Sequence, residues 1–184
     1  IDDAYLSVYE NAWPLLKAAD LPFTIFVATS PVGRNLPSYM SWDQLRELKA
    51  AGVTIGSQTH THPHMQRLSV DRVREEIEIS NKIFLNELGE RPELFAYPYG
   101  EYDDKTYEFL KSNNYIAFGQ QSGVASQNSD FLNIPRFSMS GPYAKMDSFI
   151  LKVKTLDMPL ESISPKSMII EGGFKPSLEL VFSR

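Results

Sequence analysis

Short apolar runs alternate with stretches of helical period along most of this chain. Phe23–Ala28, Val53–Ser57, Leu94–Tyr97 and Tyr115–Gly119 read as buried strands, and Leu132–Phe137 as a further one. Between them lie helical patterns over Ala4–Ala19, Ser41–Ala50, Val70–Leu88 and Asp103–Lys111. Such alternation argues for parallel strands joined by helical crossovers, because parallel neighbours need a long connection. Fewer than eight good units are present, so the expectation is a distorted, incomplete (β/α) barrel of about seven strands. Punctuation supports the helices. Ser41 with Gln44 three residues on forms a capping-box pattern, Ser69 precedes the longest helix and Gly89 follows it. Pro14 should kink or divide the first helix. Phe149–Val153 is ambiguous between helix and strand. Runs at Met168–Ile170 and Leu178–Phe182, around Gly172 and Gly173, suggest a small appended β segment. The expected division is a domain over 1–160 and an extension over 161–184.

Polar clusters sit just past the carboxyl ends of these strands, where active sites of such folds gather. Asp2 and Asp3 stand at the start, in what reads as the end of a strand. All three histidines, His60, His62 and His64, lie in one five-residue window after Val53–Ser57. A carboxylate pair with imidazoles suits a metal-activated water: ligands for a divalent ion and a base beside them. Zinc is the default for that set, with cobalt or nickel tolerated. An Asp-Asp pair also suits a helix start, and a histidine cluster also suits a solvated loop. Tyr99, in a Pro-Tyr-Gly turn, offers an aromatic wall and backbone N–H groups near the same edge. Arg136 follows Pro135 and could pair with an aspartate or lie at the surface. Asp103 and Asp104 read as helix-start acids, and Trp13, Trp42 and Phe109 as core.

The chain holds no cysteine, which excludes thiolate ligands, a cysteine nucleophile and disulfides. A net charge of -5 without a basic stripe argues against a nucleic-acid partner. No apolar run reaches membrane-spanning length, and no signal peptide is visible.

Together these segments resemble the polysaccharide deacetylase family, the NodB-homology or carbohydrate esterase family 4-like fold. Ile1-Asp2-Asp3-Ala4 looks like the family's Thr-Phe-Asp-Asp-Gly motif, with Ala4 in the glycine place. By that resemblance Asp2 is the catalytic base and Asp3 a metal ligand. The second motif, His-Ser/Thr-x-x-His, aligns on Pro63 with His62 as its final histidine and Gln58 in place of its first. Thr59 matches the Ser/Thr position, and His60 or the more distant His64 are candidate substitutes for the missing imidazole. The third motif, Arg-x-Pro-aromatic-Gly, reads Ala96-Tyr97-Pro98-Tyr99-Gly100. Tyr99 then supplies an oxyanion N–H, and Arg136 is the candidate to restore the arginine's charge. The family's late Leu-His motif finds no match, although Leu156–Leu160 falls in similar ground.

The likeness runs from Asp2 to about Arg136. It implies a metal-dependent hydrolase removing N-acetyl groups from an N-acetylglucosamine-containing polysaccharide, in a periplasmic, secreted or cell-surface setting. Gln58, Ala96 and the missing late histidine carry an alternative: a catalytically impaired carbohydrate-binding or assembly domain on the same fold.

Overall fold

The computed structural model describes residues 1–34, 36–158, 160–164 and 177–182. The described chain divides into two compact units: residues 1–120 with 130–134, and residues 121–129 with 135–184.

The first unit is built on four parallel strands, β1 (Thr24–Val27), β2 (Thr54–Ser57), β3 (Leu94–Ala96) and β4 (Ile116–Phe118). Their order is β1-β2-β3-β4, without reversal, which is the winding of a barrel wall rather than of a doubly wound sheet. At one edge Ile1 lies along β1: its N–H group donates to the Thr24 carbonyl at 2.8 Å, and its own carbonyl accepts from Phe26 N–H at 2.8 Å. At the other edge Ile134 makes a parallel bridge to Phe118. The expected strand over Leu132–Phe137 is reduced to that bridge. Asn133 N–H turns back to the Asp130 carbonyl, and Pro135 brings no N–H to a ladder.

Strand alternation sorts the side chains. Ile25 and Val27 face a cluster with Met40, Leu45, Leu48 and Phe84, while Phe95 and Ala117 join Val73, Ile77 and Leu110. The connecting helices supply the other halves of these clusters: α3 (Trp42–Ala50), α4 (Val70–Leu88) and α5 (Asp104–Ser112). On the opposite sheet face the Phe26 and Phe118 rings meet at 5.3 Å. Gly56 makes room for Phe26, because a Cβ there would stand 2.5 Å from its ring.

The punctuation acts as the sequence suggests. Ser41 and Gln44 form a complete capping box, Ser69 caps α4, and Gly89 ends it at φ 79°. Pro14 divides the first helix into a π-helical turn, Val8–Ala12, and α1 (Trp13–Ala18). The backbone stays helical through Ala12 and Trp13, so the π-helical turn lies just before the proline. A short helix, α2 (Thr29–Gly33), follows β1.

In the second unit Met146–Val153 is helical (α6), with Asp147 in its first turn and Lys152 in its last, as the helix dipole favours. Strands β5 (Leu160–Ser164) and β6 (Glu179–Phe182) pair antiparallel. The expected arm at Leu178–Phe182 is therefore present and is matched with Leu160–Ser164. The other expected arm, Met168–Ile170, lies outside the described residues.

Candidate active site

The chain bends sharply after Ile1. Asp3 and Ala4 both adopt left-handed backbone, at φ 72° and 52°, a conformation that strains residues bearing a Cβ. The bend is stitched to a later segment: Met40 N–H donates to the Ala4 carbonyl at 2.9 Å, and Leu6 N–H to that of Ser38 at 2.8 Å. Between these bonds the Tyr5 and Tyr39 rings stack at 4.9 Å. Hydrogen bonding with Tyr5, partial burial and the nearby Asp3 charge push the Tyr39 phenol up to about 12. Asp3 thus leaves the line of the strand and enters the space at its carboxyl end.

The loop after β2 reaches the same space. Gln58 N–H bonds to the Val27 carbonyl at 2.9 Å, continuing the ladder by one residue. Thr59 then turns left-handed at φ 68°, and its hydroxyl accepts from His62 N–H at 3.1 Å. His62, itself at φ 58°, places Nε2 3.6 Å from an Asp3 carboxylate oxygen. Burial raises the Asp3 carboxyl above its ordinary range; His62 opposes that shift and Asp2 adds to it.

The third element is the turn after β3. Tyr97 leads into a single 3-10 turn, Pro98–Gly100, where Tyr99 takes φ 59° and remains half-exposed. Gly100 is held at φ +70°, and a Cβ there would stand 2.6 Å from that of Gln120, so only glycine fits. The Tyr99 ring meets His62 edge-on at 4.6 Å and stacks on His64 at 4.1 Å. His64 Nδ1 is 2.7 Å from a Glu101 carboxylate oxygen, and that bond holds the Glu101 carboxyl below the usual range.

The structure therefore joins Asp3, His62 and Tyr99. His60 does not join them: its Nδ1 is 2.8 Å from the Thr29 hydroxyl. Gln58 is buried, and its side-chain oxygen has no hydrogen-bond partner among the described residues. Asp2 lies beside Asp3 in the bend. Arg136 belongs to the second unit, where its N–H bonds to the Gln121 carbonyl at 3.0 Å. Sequence reading missed Thr29, Tyr39, Glu101 and Glu76. Of these Glu76 alone left a trace, as a charge on the otherwise buried stripe Val73, Ile77, Ser80 and Phe84 of α4.

Among the described residues no three histidines, aspartates or glutamates come together to hold a metal ion. Asp3 and His62 are two strong donors, whereas a catalytic zinc takes three protein ligands and an open position. The orphaned Gln58 oxygen is a neutral amide acceptor, suited to harder cations than zinc, cobalt or nickel. The donor set does not fit such a centre. A cavity of about 400 Å³ lined by Trp13, Lys17, Phe23 and Val53 lies at the amino ends of β1 and β2, away from these groups.

A singly wound parallel sheet with connecting helices and an acid and an imidazole converging at its carboxyl edge defines the class as an α/β fold with a polar site at the strand ends. The family model for polysaccharide deacetylase matches residues 1–118, and the chain belongs to that family. Poly-beta-1,6-N-acetyl-D-glucosamine N-deacetylase of Staphylococcus aureus is 29% identical over 154 residues, covering 76% of this chain and 52% of its own length. The structure of IcaB from Ammonifex degensii superposes with a TM-score of 0.71 at 27% identity, over 82% of this chain and 70% of that one. The Streptococcus pyogenes deacetylase PplD, in complex with acetate, gives a TM-score of 0.77 at 24% identity, over 84% of this chain and 68% of that one. The chain spans about half the length of the curated relatives it matches.

Proposed function

We propose that this domain binds an N-acetylglucosamine-containing polysaccharide on a deacetylase scaffold whose hold on metal is impaired. One observation carries the reading. Gln58 fills the buried position where the family motif has its first histidine, while His60 is bonded to Thr29 and His64 to Glu101. Among the described residues neither imidazole joins Asp3 and His62 in a group that could hold a metal ion. The glycan class comes from the family and from the named substrate of the staphylococcal relative. Tyr99, half-exposed beside His62, offers the aromatic surface such a ligand uses. The setting suggested by family analogy is extracellular or periplasmic. Among the described residues no helix is long and apolar enough to cross a membrane.

The approach of Asp3 to His62 beside Tyr99 favours a second reading, hydrolysis of the N-acetyl group itself. In that reading Asp2 is the proton acceptor and the Tyr99 N–H is the oxyanion donor.

The two readings separate in one experiment. Wild-type protein and Gln58→His are titrated with zinc, cobalt and nickel, then with an N-acetylglucosamine oligomer, and acetate release is followed. The expected result is glycan binding by both, little acetate from the wild type, and tighter metal binding by Gln58→His. Metal-dependent acetate release by the wild type at the level of Gln58→His would overturn the impaired reading, and so would failure to bind the glycan.

A further inference from the structure

Glu76 is a buried carboxylate that none of the chemistry above uses. It lies on α4 with only 3% of its surface exposed, on the stripe formed by Val73, Ile77, Ser80 and Phe84. A leucine would be the ordinary occupant of such a place, because burying a charge is costly unless hydrogen bonds replace its water. Here the bonds come from two consecutive residues of the histidine loop. One oxygen accepts from His60 N–H at 3.2 Å and Thr61 N–H at 2.8 Å, and the other accepts from the Thr61 hydroxyl at 2.8 Å. A second tie runs from the same helix, Ser80 hydroxyl to Ser57 hydroxyl at 3.2 Å.

The grip falls between two left-handed residues, Thr59 and His62. In an extended loop His60 and His62, two apart, would share a face. Instead His60 is bonded to Thr29 and His62 stands against Asp3. We propose that Glu76 is a positioning residue that fixes the His60–Thr61 backbone and thereby selects His62 as the imidazole facing Asp3. The assignment rests on the Asp3–His62 corner being the functional centre.

The test uses the full chain in solution, with Glu76→Leu, Glu76→Gln and Thr61→Ala, and Asp3→Asn as a spectroscopic reference. Amide exchange at His60 and Thr61 and the imidazole nitrogen shifts of His62 are read by NMR. Glu76→Leu should speed exchange at both amides by about tenfold or more, since bonds to a charged acceptor are the strong ones. It should also move the His62 ring signals toward those of Asp3→Asn, while Gln58 keeps its protection. Glu76→Gln keeps an acceptor of the same shape and should restore the His62 signature, and Thr61→Ala should fall between. If Glu76→Leu fails to fold, Thr61→Ala carries the test. Unchanged His62 signals, or exchange that rises equally at every amide, would overturn the proposal. Titration of the same variants with the N-acetylglucosamine oligomer reads the functional proposal separately: a wild type that binds no glycan removes that reading and leaves the NMR result standing.

Discussion

Gly56 makes the packing of the inner sheet face testable at one atom. It pairs with Phe26 across β1 and β2, and a methyl group added there would lie 2.5 and 2.6 Å from two ring carbons of Phe26 and 3.2 Å from the Leu94 carbonyl oxygen. Ordinary carbon contacts fall at about 3.5–4.0 Å, so the ring would have to retreat by about 1 Å. It has little space to do so: Phe26 is buried and its ring is backed by Phe118. Overpacking of this kind costs about 1–3 kcal/mol. At about 2–4 °C per kcal/mol for a chain of this size, Gly56→Ala should melt about 2–12 °C below the wild type. Thermal unfolding followed by circular dichroism measures it. Gly33→Ala is the internal control, since nothing lies within 4 Å of that position, and it should gain about 0.4–1 kcal/mol. A Gly56→Ala protein melting at or above the wild type would refute the packing argument.

Two further outcomes concern single groups. Partial burial pushes the Asp103 carboxyl up, but bonds from Lys105 and Thr106 outweigh it and leave it below the usual range. A carboxyl lowered in the fold stabilises above its unfolded pKa of about 3.9, and that contribution fades as pH falls through the folded value. Asp103→Ala should therefore cost about 0.5–2 kcal/mol near neutrality, and the gap to the wild type should close in acid melts. The Tyr97 hydroxyl, buried and held above its ordinary pKa by that burial, donates to the Leu132 carbonyl at 2.8 Å. Tyr97→Phe should lose about 0.5–1.5 kcal/mol in urea unfolding without changing glycan binding.

Local chemistry was the legible part of this chain. The four strands, the capping box at Ser41 and the glycine stop at Gly89 each depend on residues within one or two turns of one another. The family motifs also marked the Asp2–Asp3, Gln58–His62 and Tyr99 corners. The motif singled out His62; the partners of the other two imidazoles, Thr29 for His60 and Glu101 for His64, were not legible because they lie far from the loop in sequence. Nor was the left-handed path of Asp3 and Ala4, non-glycine residues held there in part by contacts with residues 38–40. The pairing of Leu160–Ser164 with Glu179–Phe182 was not legible for a similar reason: strand partners are long-range choices that neither strand encodes alone. The charge of Glu76 on a buried helical stripe was a readable anomaly, because a buried carboxylate needs hydrogen-bond partners.

The stitching of Ala4 to Met40 and of Tyr5 to Tyr39 gives the first acidic corner an external governor. The ties at Met40 and Ser38 are backbone bonds that any residue but proline can make, so among residues 38–40 only the Tyr39 ring is open to change by substitution, and it lies outside every motif. Divergence in that short span is a route by which one scaffold can acquire a new preference with its signature intact.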